Sequence, residues 1–148
     1  GVETKRGCSR RCAYCADPLA KGASHRLRDP AETADEIESL LEQNIDVLHW
    51  CDPEFNLPLQ HAEAVCDELI RRNLGQRVRW YAYLAVLPFP NDLARRMSQA
   101  GCVGVNFTSD AAHPAMLTRP TMPAKMSRNA ARRILKVPSF PRYEARLC

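Results

Sequence analysis

Between Asp29 and Phe107 helical and extended signals alternate, and this alternation restricts the possible folds more than any other feature of the chain. Asp29 supplies a cap, Pro30 suits a first helical position and Glu32 completes a capping-box-like pattern. A helix is therefore predicted over 30–43, with Ala34, Ile37, Leu40 and Leu41 on one face. The mostly apolar run 45–50 has strand length and stops abruptly at Cys51, Asp52 and Pro53. A second helical face, Ala62, Val65, Cys66, Leu69 and Ile70, ends near Asn73 and Gly75. Residues 78–84 are rich in aromatic and branched side chains and predict the next strand. Asn91 is expected to cap a short helix through Leu93, Ala94 and Met97, with Gly101 just past its end, before a strand at 102–107.

Connections of this length between strands are crossover helices, which implies parallel pairing with helices covering the sheet. Counting 2–6 as a further strand, about four parallel strands are expected. Four are too few to close an eight-stranded barrel, so the predicted fold class is α/β, a partial (βα) barrel. Ligands of such sheets gather at the carboxyl ends of the strands, here 8–15, 52–56, 84–88 and 106–110. The 148 residues suffice for one modest core. Residues 1–119 are read as that domain and 120–148 as a basic, proline-containing tail. Because the chain opens on Gly1 and runs straight into a cysteine motif, it is expected to be a fragment of something larger.

Charge is distributed in blocks. Residues 29–68 carry twelve acidic groups and no basic one, whereas 120–148 carry seven basic groups against Glu144. The body is thus no basic nucleic-acid surface, and nucleic acid is not the expected partner. No stretch approaches the roughly 20 apolar residues of a membrane span, and no membrane association is expected. Seven cysteines are an odd number, and three of them fall within eight residues. This favours metal ligation in a reducing, cytoplasmic setting over a disulfide framework. Cys66 and Cys102 read as small buried hydrophobes.

Those three cysteines, Cys8, Cys12 and Cys15, stand as Cys-Ser-Arg-Arg-Cys-Ala-Tyr-Cys in a loop just after the first candidate strand. Cysteine thiolates hold iron–sulfur clusters, and three local thiolates leave one iron open for another ligand. Flanking Lys5, Arg6, Arg10 and Arg11 are expected to lower the thiol pKa values. Two other readings stay open: zinc with a fourth ligand such as His25, or three unremarkable buried thiols. With zinc, the chain becomes a binding module whose basic tail contacts RNA or a protein partner.

The spacing, Tyr14 just before the last cysteine and the preceding Lys-Arg-Gly resemble the radical S-adenosylmethionine superfamily. The resemblance implies a partial barrel of the radical SAM type, with a 4Fe–4S cluster on Cys8, Cys12 and Cys15 and S-adenosylmethionine on the fourth iron. It gives Tyr14 a cofactor contact and calls for an external electron donor. The run Asp52-Pro53-Glu54-Phe55-Asn56, with Asp17-Pro18-Leu19-Ala20-Lys21-Gly22, is similar to cobalamin-dependent methyltransferases, the tryptophan-methylating group among them. That likeness implies methyl transfer to an unreactive carbon of a small molecule or peptide. Cobalamin is expected only of a full-length parent.

Glu54 is the candidate for the methionine ammonium, which needs a carboxylate or carbonyls near it, although taken alone it reads equally well as surface charge; Asn56 is a further cofactor-binding candidate in the same run. Asn106, Thr108 and Ser109 follow the last strand, where short amide and hydroxyl groups suit a ribose diol. An ordinary cap before a helix at 111–117 explains them equally well. Trp80, Tyr81 and Tyr83 alternate faces, one side packing under helices and the other available to a substrate.

Overall fold

The structure, a computed structural model, describes residues 1–12 and 14–107. The alternative helix at 111–117 and the basic tail lie outside them. Along the chain run β1 (Lys5–Arg6), α1 (Asp17–Lys21), β2 (Arg26–Leu27), α2 (Pro30–Glu42), β3 (Val47–Trp50), α3 (Leu59–Arg71), a 3-10 turn (Leu74–Gln76), β4 (Arg79–Leu84), α4 (Asn91–Gln99) and β5 (Cys102–Phe107). Strands β3, β4 and β5 form a parallel sheet in that spatial order. Sequential order with crossovers of one hand places α2, α3 and α4 on one face, as in a segment of a (βα) barrel. Among the described residues no helix is long and apolar enough to cross a membrane.

The boundaries follow from local chemistry. Asp29 caps α2 by accepting the Ala31 N–H at 2.7 Å. The reciprocal half of the expected capping box gives way to an ion pair, with Glu32 lying 4.0 Å from Arg28. At the other end Asn44, with φ of 61°, donates to Leu41 O while Ile45 donates to Leu40 O. This pair of bonds is a Schellman closure. Ile45 is thereby committed to the helix end, so β3 begins two residues later than predicted. Asn91 is the first residue of α4 and supplies no capping bond, because Pro90 occupies the cap position.

The expected first strand divides in two. Val2 alone joins the parallel sheet, bridging Trp50 through Val2 N to His49 O at 3.1 Å and Cys51 N to Val2 O at 2.8 Å. Lys5 and Arg6 instead pair antiparallel with Leu27 and Arg26. The cause is Asp52, whose Oδ1 takes the Thr4 N–H at 2.9 Å and the Lys5 N–H at 3.3 Å. Donors that would have extended the ladder are captured by a side chain.

Strand β4 is two-faced: Trp80, Ala82 and Leu84 are buried, whereas Arg79, Tyr81 and Tyr83 are exposed. The buried face contributes to a core built on Trp50, Phe55 and Trp80, whose ring centroids stand 5.3 to 5.8 Å apart. Cys66 and Cys102 belong to this core, and burial holds both thiols well above their ordinary pKa, Cys102 up to about 12. The acidic block is largely matched across helices. Arg72 reaches Asp35 at 2.6 Å, Glu38 at 3.1 Å and Glu68 at 2.7 Å, Arg79 pairs with Asp46 at 2.8 Å, and Arg96 pairs with Asp67.

Trp80 Nε1 donates to Ala100 O at 2.7 Å, whereas among the described residues Trp50 Nε1 is buried without a partner. Trp80→Phe should therefore cost about 2–3 kcal/mol by urea unfolding, and Trp50→Phe about 1 kcal/mol less, since it also removes a donor that burial already penalises. Equal costs would contradict this account. Bonds from Arg71 and then Arg72 hold the Glu68 carboxyl down at about 2 against an ordinary 4.5. Its contribution to stability is complete above pH 4.5 and is lost as pH falls toward 2. Thermal unfolding of Glu68→Gln should accordingly depend less on pH across that window than unfolding of the parent chain.

Candidate functional site

The cysteine loop is anchored before its first thiol. Gly7 has a φ of 95°, and a Cβ there would stand 2.1 Å from Ser24 O, so both conformation and space demand glycine. Cys8 N then donates to Gly22 O at 3.0 Å, fixing the loop against the turn after α1. Cys8 is buried, while Cys12 and Cys15 are half-buried. A turn bond from Cys15 N to Cys12 O at 3.2 Å links the latter two, and the Asp17 N–H points at Cys15 Sγ from 3.5 Å.

The expected lowering of the thiol pKa is reversed at Cys8. Burial pushes this thiol up, and the charges of Glu54, Cys12 and Cys15 push it the same way against a backbone bond from Arg10. Three of the cations that were to lower it are each paired with a carboxylate. Lys5 turns inward to Asp52, Arg6 lies 3.4 Å from Glu3, and Arg10 Nε donates to Glu54 Oε2 at 2.6 Å. The charges of Cys12 and Cys15 reach Cys8, yet among the described residues no three His, Cys, Asp or Glu side chains converge closely enough to hold a metal ion as they stand. Three thiolates drawn together repel unless a cation joins them, so convergence and deprotonation would accompany metal binding. The donor chemistry, three thiols on one loop with an amide directed at a sulfur, fits an iron–sulfur cluster.

The turn at 51–58, at the carboxyl end of β3, meets this loop. Glu54 touches it through Arg10, with both side chains about a quarter exposed. Asn56, the other candidate in this run, is bonded to backbone. Its Nδ2 donates to Ala85 O at 2.9 Å and Pro88 O at 2.7 Å, and its Oδ1 accepts the Ala85 N–H at 2.8 Å. Fully buried and bonded to backbone on every side shown, Asn56 ties the turn to the end of β4.

Tyr14 is 67% exposed beside the cysteines. His25 is a weaker base than an ordinary histidine, through burial and the charge of Lys5. Asn106 is exposed on β5 in register with Tyr83, on the sheet face away from the helices, and Thr108 and Ser109 lie outside the described residues. On the same face His49 packs edge-on against Tyr83 at 5.2 Å, and the Tyr81 ring occupies the space that a Cβ on Gly104 would need. Core packing thus holds for Trp80, while Tyr81 and Tyr83 take the open side. Sequence reasoning missed Asp52, a carboxylate 1% exposed that accepts from Thr4 and Lys5, and His61, whose Nε2 lies 3.0 Å from Thr4 O. The signal for Asp52 was its place directly after an apolar strand, where a charge is out of keeping unless paired.

Comparison with known proteins agrees with this layout. A family model for the Radical SAM superfamily matches residues 2–137, beyond the boundary drawn at 119. The chain is 35% identical over 133 residues to tryptophan 2-C-methyltransferase of Streptomyces laurentii, covering 86% of this chain and 22% of that protein. It is 29% identical over 110 residues to the anaerobic magnesium-protoporphyrin IX monomethyl ester cyclase of Cereibacter sphaeroides, covering 72% and 18%. Among solved structures it resembles the radical S-adenosylmethionine methyltransferase TsrM from Kitasatospora setae with cobalamin and a [4Fe-4S] cluster bound, at a TM-score of 0.80 and 34% identity over 90% of this chain and 25% of that one. A second structure of TsrM, with tryptophan substrate and the analogue aza-SAM, matches equally well over 90% and 27%. The chain spans about a quarter or less of these relatives. With the family match spanning nearly its whole length, including the cysteine loop and the parallel sheet behind it, the chain belongs to the Radical SAM superfamily.

Proposed function

We propose that this chain is the cluster-bearing part of a radical S-adenosylmethionine methyltransferase that acts on an unreactive carbon of a small molecule or peptide. The observation that carries the reading is the cysteine loop itself, anchored by Gly7 and meeting through Arg10 the turn at the carboxyl end of the parallel sheet. Cys8, Cys12 and Cys15 would hold a 4Fe–4S cluster, leaving one iron for the amino and carboxylate groups of S-adenosylmethionine. When bound, that pair of groups supplies one-electron reduction of a sulfonium, with the electron drawn from an external donor. Cobalamin, present in the TsrM structure, is proposed for the full-length parent. A cytoplasmic setting belongs to the same proposal, since thiolate ligands persist under reducing conditions.

This chain's own residues bind and orient. Glu54 would accept the methionine ammonium, sharing its carboxylate with Arg10. Asn56 holds the turn in place from behind. Tyr14 would contact the bound cofactor, and Asn106, Thr108 and Ser109 would meet the ribose hydroxyls. The open face with His49, Tyr81 and Tyr83 has the aromatic and polar character of a site for an organic substrate, and tryptophan is the substrate in a matched TsrM structure.

Anaerobic reconstitution tests the metal assignment. About four iron and four sulfide per chain are expected, and Cys8→Ala, Cys12→Ala or Cys15→Ala should each remove most of the visible chromophore while Cys66→Ala leaves it. One zinc per chain, or loading indifferent to the three substitutions, would overturn the reading. In loaded protein, Glu54→Gln should weaken S-adenosylmethionine binding about tenfold by calorimetry, the scale of one charge-assisted hydrogen bond, with iron content unchanged.

A further inference from the structure

Lys5 is a cation shut away from water at the root of the cysteine loop. Its side chain is 1% exposed, and Nζ donates to Asp52 Oδ2 at 3.4 Å, Glu54 O at 2.9 Å and Phe55 O at 3.3 Å. Three N–H groups thus meet three acceptors. The ammonium also lies 5.9 Å from the centre of the Phe55 ring. Burial disfavours the charge, and the Asp52 carboxylate opposes that penalty. The neighbouring cations differ in kind. Arg6 is 61% exposed, and Arg10, 26% exposed, faces the Glu54 carboxylate directly. An exposed charge is screened by water and salt, whereas a buried one acts through a medium of low polarizability. Lys5 stands three residues before Cys8, where the chain enters the cysteine loop.

We propose that Lys5 is a positioning residue with two linked tasks: it fixes the 52–55 turn to the base of the cysteine loop, and its buried charge favours the reduced form of a cluster held by Cys8, Cys12 and Cys15. The inference rests on the cluster assignment proposed above. One electron from a low-potential donor makes the cluster one unit more negative, with no bond formed or broken, and a fixed cation nearby favours that change. Asp52 carries the opposite charge in the same buried pair, so its removal acts with the opposite sign. A residue that merely supported the fold would not show this opposition.

The experiment is a reductive titration of the reconstituted chain with dithionite, followed by electron paramagnetic resonance. For Lys5→Met the ratio of reduced to oxidised cluster at a fixed potential should fall about tenfold, or about 59 mV for a one-electron couple. That is the scale of a unit charge about 10 Å away at an effective dielectric near 20. Asp52→Asn should raise the ratio, and Lys5→Met with Asp52→Asn should fall between the two. The double variant replaces a buried ion pair by uncharged groups of similar size, so it carries the comparison with Asp52→Asn should Lys5→Met fail to fold. Loaded variants whose potentials do not move, or move in the same direction, sink this inference alone. A parent chain that takes up no cluster sinks the assignment beneath it as well, and iron analysis tells the two failures apart.

Discussion

The buried carboxylate of Asp52 is the point from which the arrangement of this chain follows. Oδ1 receives the backbone N–H groups of Thr4 and Lys5, and Oδ2 receives the Thr4 hydroxyl at 2.5 Å and the Lys5 ammonium. A charge withdrawn from water is costly unless its oxygens find partners, and here four donors converge on two oxygens. The same contacts bend the chain out of the sheet after Val2 and send it toward β2. The cysteine loop therefore leaves from a fixed point beside the turn that carries Glu54. Thr4 is held from a further side as well, its carbonyl receiving Arg28 N at 3.0 Å and facing His61.

From that anchor the two faces of the sheet take different roles. One is dry and aromatic, with Trp50, Phe55 and Trp80 under the helices. The other presents His49, Tyr81, Tyr83 and Asn106, side chains with polar ends that suit a face meeting ligand better than a sealed interior. Asn56 joins the ends of β3 and β4, so the turn that approaches the cysteines is coupled to the strand that carries the open tyrosines. Phe55 N adds a bond to Tyr83 O at 2.8 Å. Site and sheet are parts of one hydrogen-bonded unit.

Much of this was legible in the amino acids. The periodic faces of α2 and α3, the alternation along β4, the span of β5 and the cysteine spacing all depend on neighbours within a few residues, and each is found about where the pattern placed it. The errors share a cause. Ile45 reads as strand from its side chain and is claimed by the closure of α2. Residues 2–6 read as one strand, and Asp52, some 48 positions away, divides them. Lys5 reads as a cation that lowers the pKa of nearby thiols and is buried in an ion pair with Asp52.

The sequence by itself determined the order of elements, the face each helix buries and the presence of three thiols in one loop, because periodicity and short spacing are local properties of a chain. Only the tertiary structure decided which charges are buried, which polar side chains remain available to a ligand and how the first residues divide between two sheets. Those outcomes depend on pairings between segments tens of residues apart, where a carboxylate after β3 competes with the backbone for the same donors and wins because burial would otherwise leave it without them.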